Sequence, residues 1–358
     1  MKLQDLLGHA APVALLRRTL DAERLPHALL FQGPEGVGKG TAGRILATML
    51  LCEGEPAGER PCESCPACRK IAHGNHPDLL VVERLPKKNT TREAPEAEDE
   101  GEEEAAGGSG LRSQIVIAQI RELSAHAAYA PREGRARVFL IDPADRMNHE
   151  SQNALLKTLE EPPGRAFLIL IASRPHLLLP TVRSRCLAVR FAPMAARELA
   201  ARLEERGFER EEALARAALA AGRQGKALTL DPKGLRARRE ELLTALERLA
   251  AGPRALAELS GMAAGIAGDD EETLLEGLEL METLLRDAAV ARAWGAQDVL
   301  VHADLGPRLL SLGDSLGAVR ASSLVRSVER LRGDLRFNLN RTLVSESLLA
   351  AVAGGPLP

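Results

Sequence analysis

The sequence predicts an α/β parallel-sheet domain carrying a zinc-binding insertion, followed by a small helical domain and a larger all-helical C-terminal domain. Three observations carry that reading. Short, wholly apolar runs alternate with helical periods up to Pro193, the pattern of a parallel sheet covered on both faces. A glycine-rich stretch, "GPEGVGKGTAG" from Gly33 to Gly43, stands between a strand candidate and a helix candidate. Beyond Pro193 the apolar spacing is helical throughout, and no run reads as a strand.

The elements follow in order. A helix is expected over Pro12–Glu23, with Val13, Leu16 and Leu20 on one face. "HALLFQG" is a buried strand feeding the glycine loop, and helical spacing resumes from Thr41 to Leu51. "HPDLLVVE" (His76–Glu83) is the second strand. From Leu85 to Gly110 the chain turns acidic and then Gly/Ala/Ser-rich, with almost nothing to bury; a solvated, disordered insertion tolerated on the surface is expected there. "SQIVIAQIRELSAHAAY" is a helix presenting Ile117, Ile120 and Leu123. "ARVFLID" (Ala136–Asp142) is the third strand, and "NHESQNALLKTLEE" is a helix capped by Asn148 and stopped by Pro162-Pro163. "AFLILIAS" and "LAVRFAP" complete the sheet. The expected domains are 1–193, 194–232 and 233–358, with helix breaks in the last near Gly268-Asp269, Gly306-Pro307 and Gly333.

With 47 Lys and Arg against 50 Asp and Glu, the net charge of −3 argues against wholesale basic binding of nucleic acid. No stretch of signal-peptide type opens the chain and no later one approaches a membrane span, so a cytoplasmic protein without membrane contact is expected.

Three groups of residues could carry chemistry. In the glycine loop, Gly33, Gly36, Gly38 and Lys39 fit a phosphate-binding loop, whose backbone N–H groups and lysine cradle phosphates. The next residue should be Ser or Thr, to hold magnesium; it is Gly40. Thr41 supplies a hydroxyl one place late, about 100° further round the helix. Asp142 ends its strand where a magnesium-orienting carboxylate belongs, but the following residue, where an ATPase keeps its base, is Pro143. Asp145 lies further on. The alternative is a structural turn that needs glycine for its backbone alone. A degenerate nucleotide site is therefore expected; whether ATP and magnesium bind it stays open.

The second group is Cys52, Cys62, Cys65 and Cys68, spaced x9, x2 and x2. Four soft ligands inside seventeen residues suit a closed, structural zinc site, the zinc module 52–68. The third is "TVRSRC" (Thr181–Cys186), just before the last strand. Composition alone would make Arg185 a solvated surface residue.

The run "VFLIDPADRMN…NALLKTLEEPP…LILIASRPHLLLPTVRSRC" resembles the clamp-loader subunits of bacterial DNA polymerase III, on the delta-prime side of a family that also holds gamma/tau. The cysteine insertion, "HPDLLVVE", "IAQIREL" and "FNLNRTLVSESLL" resemble the same proteins. The resemblance implies an AAA+ module, a helical lid and a helical collar that joins gamma/tau and delta subunits in a hetero-pentamer, which places the sliding clamp on primer–template DNA. It further implies that Ser184-Arg185-Cys186 is the family's SRC motif, with Arg185 acting as an arginine finger on the adjacent subunit's ATP. In the lid, Gly225 stands where the motor subunit would have an arginine, with Arg223 close by. A subunit that keeps the fold without its own ATP hydrolysis is the expectation. The alternatives are a gamma/tau-type motor using Lys39, Asp142 and Thr41, and a stand-alone zinc-containing DNA-binding module.

Overall fold

The computed structural model describes residues 3, 6, 8–22, 24–54, 60–85, 114–230, 232–252, 259–268, 271–295, 300–335 and 339–354. The acidic insertion expected at 85–110 lies outside these residues, Leu85 excepted. The chain divides into two compact units, Met1–Pro193 with Arg223–Gly225, and Met194–Gly222 with Lys226–Pro358.

In the first unit, β1 (Ala28–Gln32), β2 (Leu79–Val82), β3 (Arg137–Ile141), β4 (Ala166–Ala172) and β5 (Leu187–Arg190) form one sheet in the order β2-β3-β4-β1-β5. Every pairing is parallel. The helices are α1 (Ala10–Asp21), α2 (Lys39–Leu51), α3 (Pro66–Ala72), α4 (Ile117–Ala127), α5 (His149–Glu160) and α6 (Pro180–Arg183). This is the parallel sheet with helices on both faces that the sequence predicted. The strands are apolar along their length because both faces are covered. Leu29, Phe31, Leu140 and Ile169 pack on one face with Leu16 of α1 and Leu46 of α2. Their neighbours Leu30, Phe139, Ile141 and Leu168 pack on the other with Leu123 of α4 and Leu155 of α5. Burying each such side chain contributes about 1.5–3 kcal/mol.

Local signals set the ends of these elements. Asn148 accepts the Ser151 N–H at 2.8 Å, the cap expected of it, and α5 stops at Glu160 ahead of the two prolines. α2 begins at Lys39 rather than Thr41, directly after Gly38, whose left-handed φ of 101° a side chain would strain. The cysteine segment holds a short helix that apolar periodicity could not reveal, α3, which starts at Pro66 because proline suits a first helical turn. β1 lies between β4 and β5, where the chain's order along the sheet reverses. Ligands of open parallel sheets bind beyond the strand ends at such a point, and the glycine loop follows β1.

The second unit is helical throughout its described residues: α7 (Ala196–Glu205), α8 (Arg210–Leu219), α9 (Gln224–Thr229, its first two residues counted with the first unit), α10 (Pro232–Ala250), α11 (Leu259–Ala267), α12 (Glu271–Trp294), α13 (Gly306–Leu316), α14 (Ala318–Asp334) and α15 (Arg341–Val352). α13 begins at the expected Gly306-Pro307 break, whereas α14 runs through Gly333 to Asp334. A single glycine costs a helix only about 1 kcal/mol. Leu246, Leu278, Leu284, Leu309, Leu324 and Leu348 anchor a core drawn from α10, α12, α13, α14 and α15.

One polar cluster interrupts that core. Asp287 and His302 are buried, and Asp287 Oδ2 accepts the His302 main-chain N–H at 2.7 Å. His302 Nε2 meets Thr283 Oγ1 at 3.0 Å; among the described residues Asp287 Oδ1 and His302 Nδ1 have no hydrogen-bond partner, although Arg286 Nη1 lies 3.8 Å from Asp287 Oδ1. Burial lifts Asp287 from 3.8 to about 6 and lowers His302 from 6.5 to about 4. The two titrations oppose each other. The Asp287 contribution to stability is full below pH 4 and is lost as pH rises to 6; that of His302 is full above pH 6.5 and is lost as pH falls to 4. Asp287→Asn removes only the first. From pH 4 to pH 6 the variant should therefore gain on the wild type by up to about 3 kcal/mol, measured by urea unfolding across that range. Parallel stability–pH curves would overturn this assignment.

Candidate functional site

The glycine loop runs from the end of β1 into α2, and its carbonyls are fastened from outside. Val37 O accepts from Gln224 Nε2 at 3.1 Å and lies 2.6 Å from His9 Nε2; Gly36 O accepts the Gly225 N–H at 2.7 Å. In a trans peptide the next N–H points opposite to its carbonyl, so the Val37 and Gly38 N–H groups are turned away from these fastenings. That is the backbone half of an anion cradle.

The side chains around the cradle are engaged with the fold, and Gly40 has none. Lys39 is buried, and its Nζ donates to Gly33 O and Pro34 O, both at 2.7 Å, and to Ser173 Oγ at 3.0 Å. Burial lowers its pKa, against the pull of Asp142, Asp145 and Glu35. At Gly40 a Cβ would stand 3.0 Å from Asp142 Oδ2, so a serine or threonine there would press on the carboxylate with which it should share magnesium. Thr41 is exposed on α2. Burial raises the pKa of Asp142, with Lys39 opposing. Asp145 is committed elsewhere: its carboxylate accepts the main-chain N–H groups of Ser173 at 3.1 Å and Arg174 at 3.3 Å. A Cβ at Gly225 would lie 2.8 Å from Gly36 O, which bars any side chain unless the loop moves.

The four cysteines converge. Cys52 caps the end of α2, Cys65 caps the start of α3 and Cys68 lies in its first turn. The Sγ atoms of Cys52, Cys62, Cys65 and Cys68 all lie within 4.8 Å of one another, with Cys52 and Cys65 at 4.0 Å. Bonds of ~2.3 Å to a tetrahedral metal would space them by about 3.8 Å, so a small contraction closes the set. Main-chain N–H groups already face the sulfurs: Gly54 and Cys62 donate to Cys52, Cys65 to Cys62, and Cys68 to Cys65, at 3.3–3.4 Å. Such donors favour thiolates, and those of Ser64 and Cys65 hold Cys62 near 6. The cluster could hold a soft metal ion with every ligand position filled by protein.

Arg185 stands in a different place. β5 pairs with β1 in parallel, Leu29 opposite Leu187 and Gln32 opposite Arg190. Arg185 precedes β5 and the glycine loop follows β1, so they occupy opposite edges of the sheet. The four paired residues between them span about 13 Å. Its guanidinium donates to Thr181 O at 2.9 Å and pairs with Glu160. Cys186 beside it is pushed up to about 12 by burial.

The family described as "DNA polymerase III, delta subunit" matches residues 8–195, and "DNA polymerase III, delta subunit, C terminal" matches residues 233–353. The chain belongs to this family. A DNA polymerase III subunit delta' of Pseudomonas aeruginosa is 29% identical over 341 residues, 93% of this chain and 93% of the relative. A subunit delta' of Bacillus subtilis is 35% identical over 192 residues, 53% of this chain and 50% of the relative. The tau subunit of Escherichia coli is 33% identical over 201 residues, 56% of this chain and 27% of the relative. Among solved structures, a DNA polymerase III gamma subunit-related protein of Thermotoga maritima covers 95% of this chain and 98% of its own, at 18% identity and a TM-score of 0.38.

Several residues that shape this delta-family site escape sequence reading. Ser173 ends β4 as one hydroxyl among many, yet it joins Lys39 to Asp145. Gln152 on α5 is buried; it donates to Met147 O at 3.0 Å and accepts the Leu179 N–H at 2.6 Å, tying the segment before α6 to α5. Asp78 is buried ahead of β2 and accepts three consecutive N–H groups, of Arg132, Glu133 and Gly134, at 2.7–2.8 Å. Only the acid within "HPDLLVVE" hinted at it. His9 and Gln224 have no local signal at all, because each acts across the fold. Asp145→Ala would strand two main-chain N–H groups beside the lysine, and should cost about 3 kcal/mol of stability, read from urea or thermal unfolding of the purified chain. An unchanged midpoint would show that Asp145 does not hold the end of β4.

Proposed function

We propose that this chain is a clamp-loader subunit of the bacterial replicative polymerase that promotes ATP hydrolysis in a neighbour and carries out none of its own. The observation that supports this most directly is the placement of Arg185 across the sheet from the chain's own glycine loop. At that edge its guanidinium is out of reach of its own cradle and is available to a phosphate brought by an adjoining subunit. Neutralising charge that develops on a transferring phosphoryl group is worth 10³–10⁵ in rate when an arginine finger supplies it. In this reading Gly33, Gly36, Gly38, Lys39, Gly40, Thr41 and Asp142 form a vestigial nucleotide site. Gly40 gives magnesium no hydroxyl, Pro143 provides no base, and Lys39 is bound to the loop's own carbonyls.

The partners are gamma/tau and delta subunits in a hetero-pentamer, with the sliding clamp as cargo and primer–template DNA met through the complex. Residues 194–232 serve as the lid and 233–358 as the collar that joins subunits. Cys52, Cys62, Cys65 and Cys68 hold a structural zinc ion, which cross-links the end of α2 to α3 and offers no open position for catalysis.

Two measurements test these assignments. In the reconstituted loader, Arg185→Ala should lower clamp- and DNA-stimulated ATP turnover by about tenfold or more at the site it serves, with assembly intact, while the isolated chain stays at background. Turnover by the isolated chain together with an inert Arg185→Ala substitution would make the glycine loop a working site. Zinc should accompany the purified chain at about one equivalent, and Cys68→Ser should lower both metal content and thermal midpoint. Metal-free, reduced protein that unfolds at the same temperature as the metal-replete form would remove the zinc assignment.

A further inference from the structure

Glu160 is the last residue of α5, with Glu161 next to it and Pro162-Pro163 closing the turn. Acids there face the negative end of the helix dipole, an unfavourable placement by about 0.3–1 kcal/mol each. Lys157 in the last turn offsets part of this, and Arg185 adds a second charge, its Nη2 pairing with Glu160 Oε1. The other arm of the guanidinium, Nη1, donates at 2.9 Å to Thr181 O, a carbonyl of α6 that also accepts the Ser184 hydroxyl at 3.1 Å. Arg185 is thus gripped from two sides, by the end of α5 and by the start of its own turn.

Stability does not account for this pair. Its side chains are 35% and 48% exposed, and ion pairs of that kind contribute about 0–1 kcal/mol. What the grip changes is freedom. A free arginine side chain carries about 2 kcal/mol of rotamer entropy, which must be surrendered whenever it is brought to bear on a reacting group. Two of the five guanidinium N–H groups account for the two contacts, so donors remain for a third partner.

We propose that Glu160 is a positioning residue for Arg185: it orders the guanidinium at the sheet edge so that the remaining N–H groups meet the phosphate of a neighbour's bound ATP. This rests on Arg185 acting on a neighbouring subunit. Glu160 touches neither substrate nor phosphate and works only through the arginine.

The test is a double-mutant cycle in the reconstituted loader, with each complex first isolated by gel filtration at equal stoichiometry. In the wild-type background, Glu160→Ala should lower maximal ATP turnover several-fold and leave KM for ATP within about twofold. In the Arg185→Ala background it should have no further effect, because its route is already cut. Glu160→Gln, which keeps an acceptor of the same shape without the charge, should fall between wild type and Glu160→Ala, and it replaces the alanine variant if that chain does not assemble. If Glu160 substitutions leave turnover unchanged, or lower it equally with and without Arg185, the positioning role is wrong while the finger stands. If Arg185→Ala itself changes nothing, the finger reading fails first and takes this inference with it.

Discussion

The parallel pairing of the strands decides which edge of the sheet each connection of the first unit occupies. Strands that run the same way send all their beginnings to one edge and all their ends to the other. The glycine loop, Asp142, Asp145 and Ser173 follow strand ends and gather at one edge; Glu160 and Arg185 precede strands and gather at the opposite one. The separation of phosphate cradle from arginine is therefore a property of the sheet, enforced by backbone hydrogen bonds and by the two apolar layers that Leu29 and Leu30 begin on opposite faces. Groups that the sheet sends to opposite edges cannot meet at one site within this chain.

At the cradle's edge the interactions that remain are those that hold the loop's shape. His9, Gln224 and Gly225 engage its carbonyls, and Lys39 caps two more. Each is an internal satisfaction of a polar group that burial would otherwise penalise. A lysine so committed would have to exchange three protein contacts for phosphate oxygens, with no magnesium ligand at Gly40 to share the charge. The loop is part of the fold's hydrogen-bond network, and its glycines serve that network through their backbone.

The cysteine module is joined to the same body by Ile71 of α3, which packs on the apolar core, and by polar contacts. α3 begins at the cluster and carries Lys70, which pairs with Glu133, while Asp78 gathers the N–H groups of Arg132, Glu133 and Gly134. The turn before β3, the start of β2 and the cysteine segment are thereby held as one piece. A small module with little to bury needs such anchors.

How much of this was legible depended on the range over which each signal acts. Apolar runs such as "VFLI" and "FLILIA", the Asn148 cap, the proline stop after Glu161 and the cysteine spacing are local, and they marked the strands, the two ends of α5 and the group of four cysteines by themselves. Gly40 and Pro143 were equally plain, since a side chain's type can be read from a single letter. Helix α3 was not, because seven residues between cysteines carry no period, and the start of α2 at Lys39 was hidden by glycines that hydropathy ignores. What only the tertiary structure decided was which distant groups meet: His9 and Gln224 on the loop, Ser173 between Lys39 and Asp145, and Glu160 on Arg185. Those contacts join residues far apart in the chain, and they exist because a parallel sheet returns its connections to common edges, a geometry that no window of sequence contains.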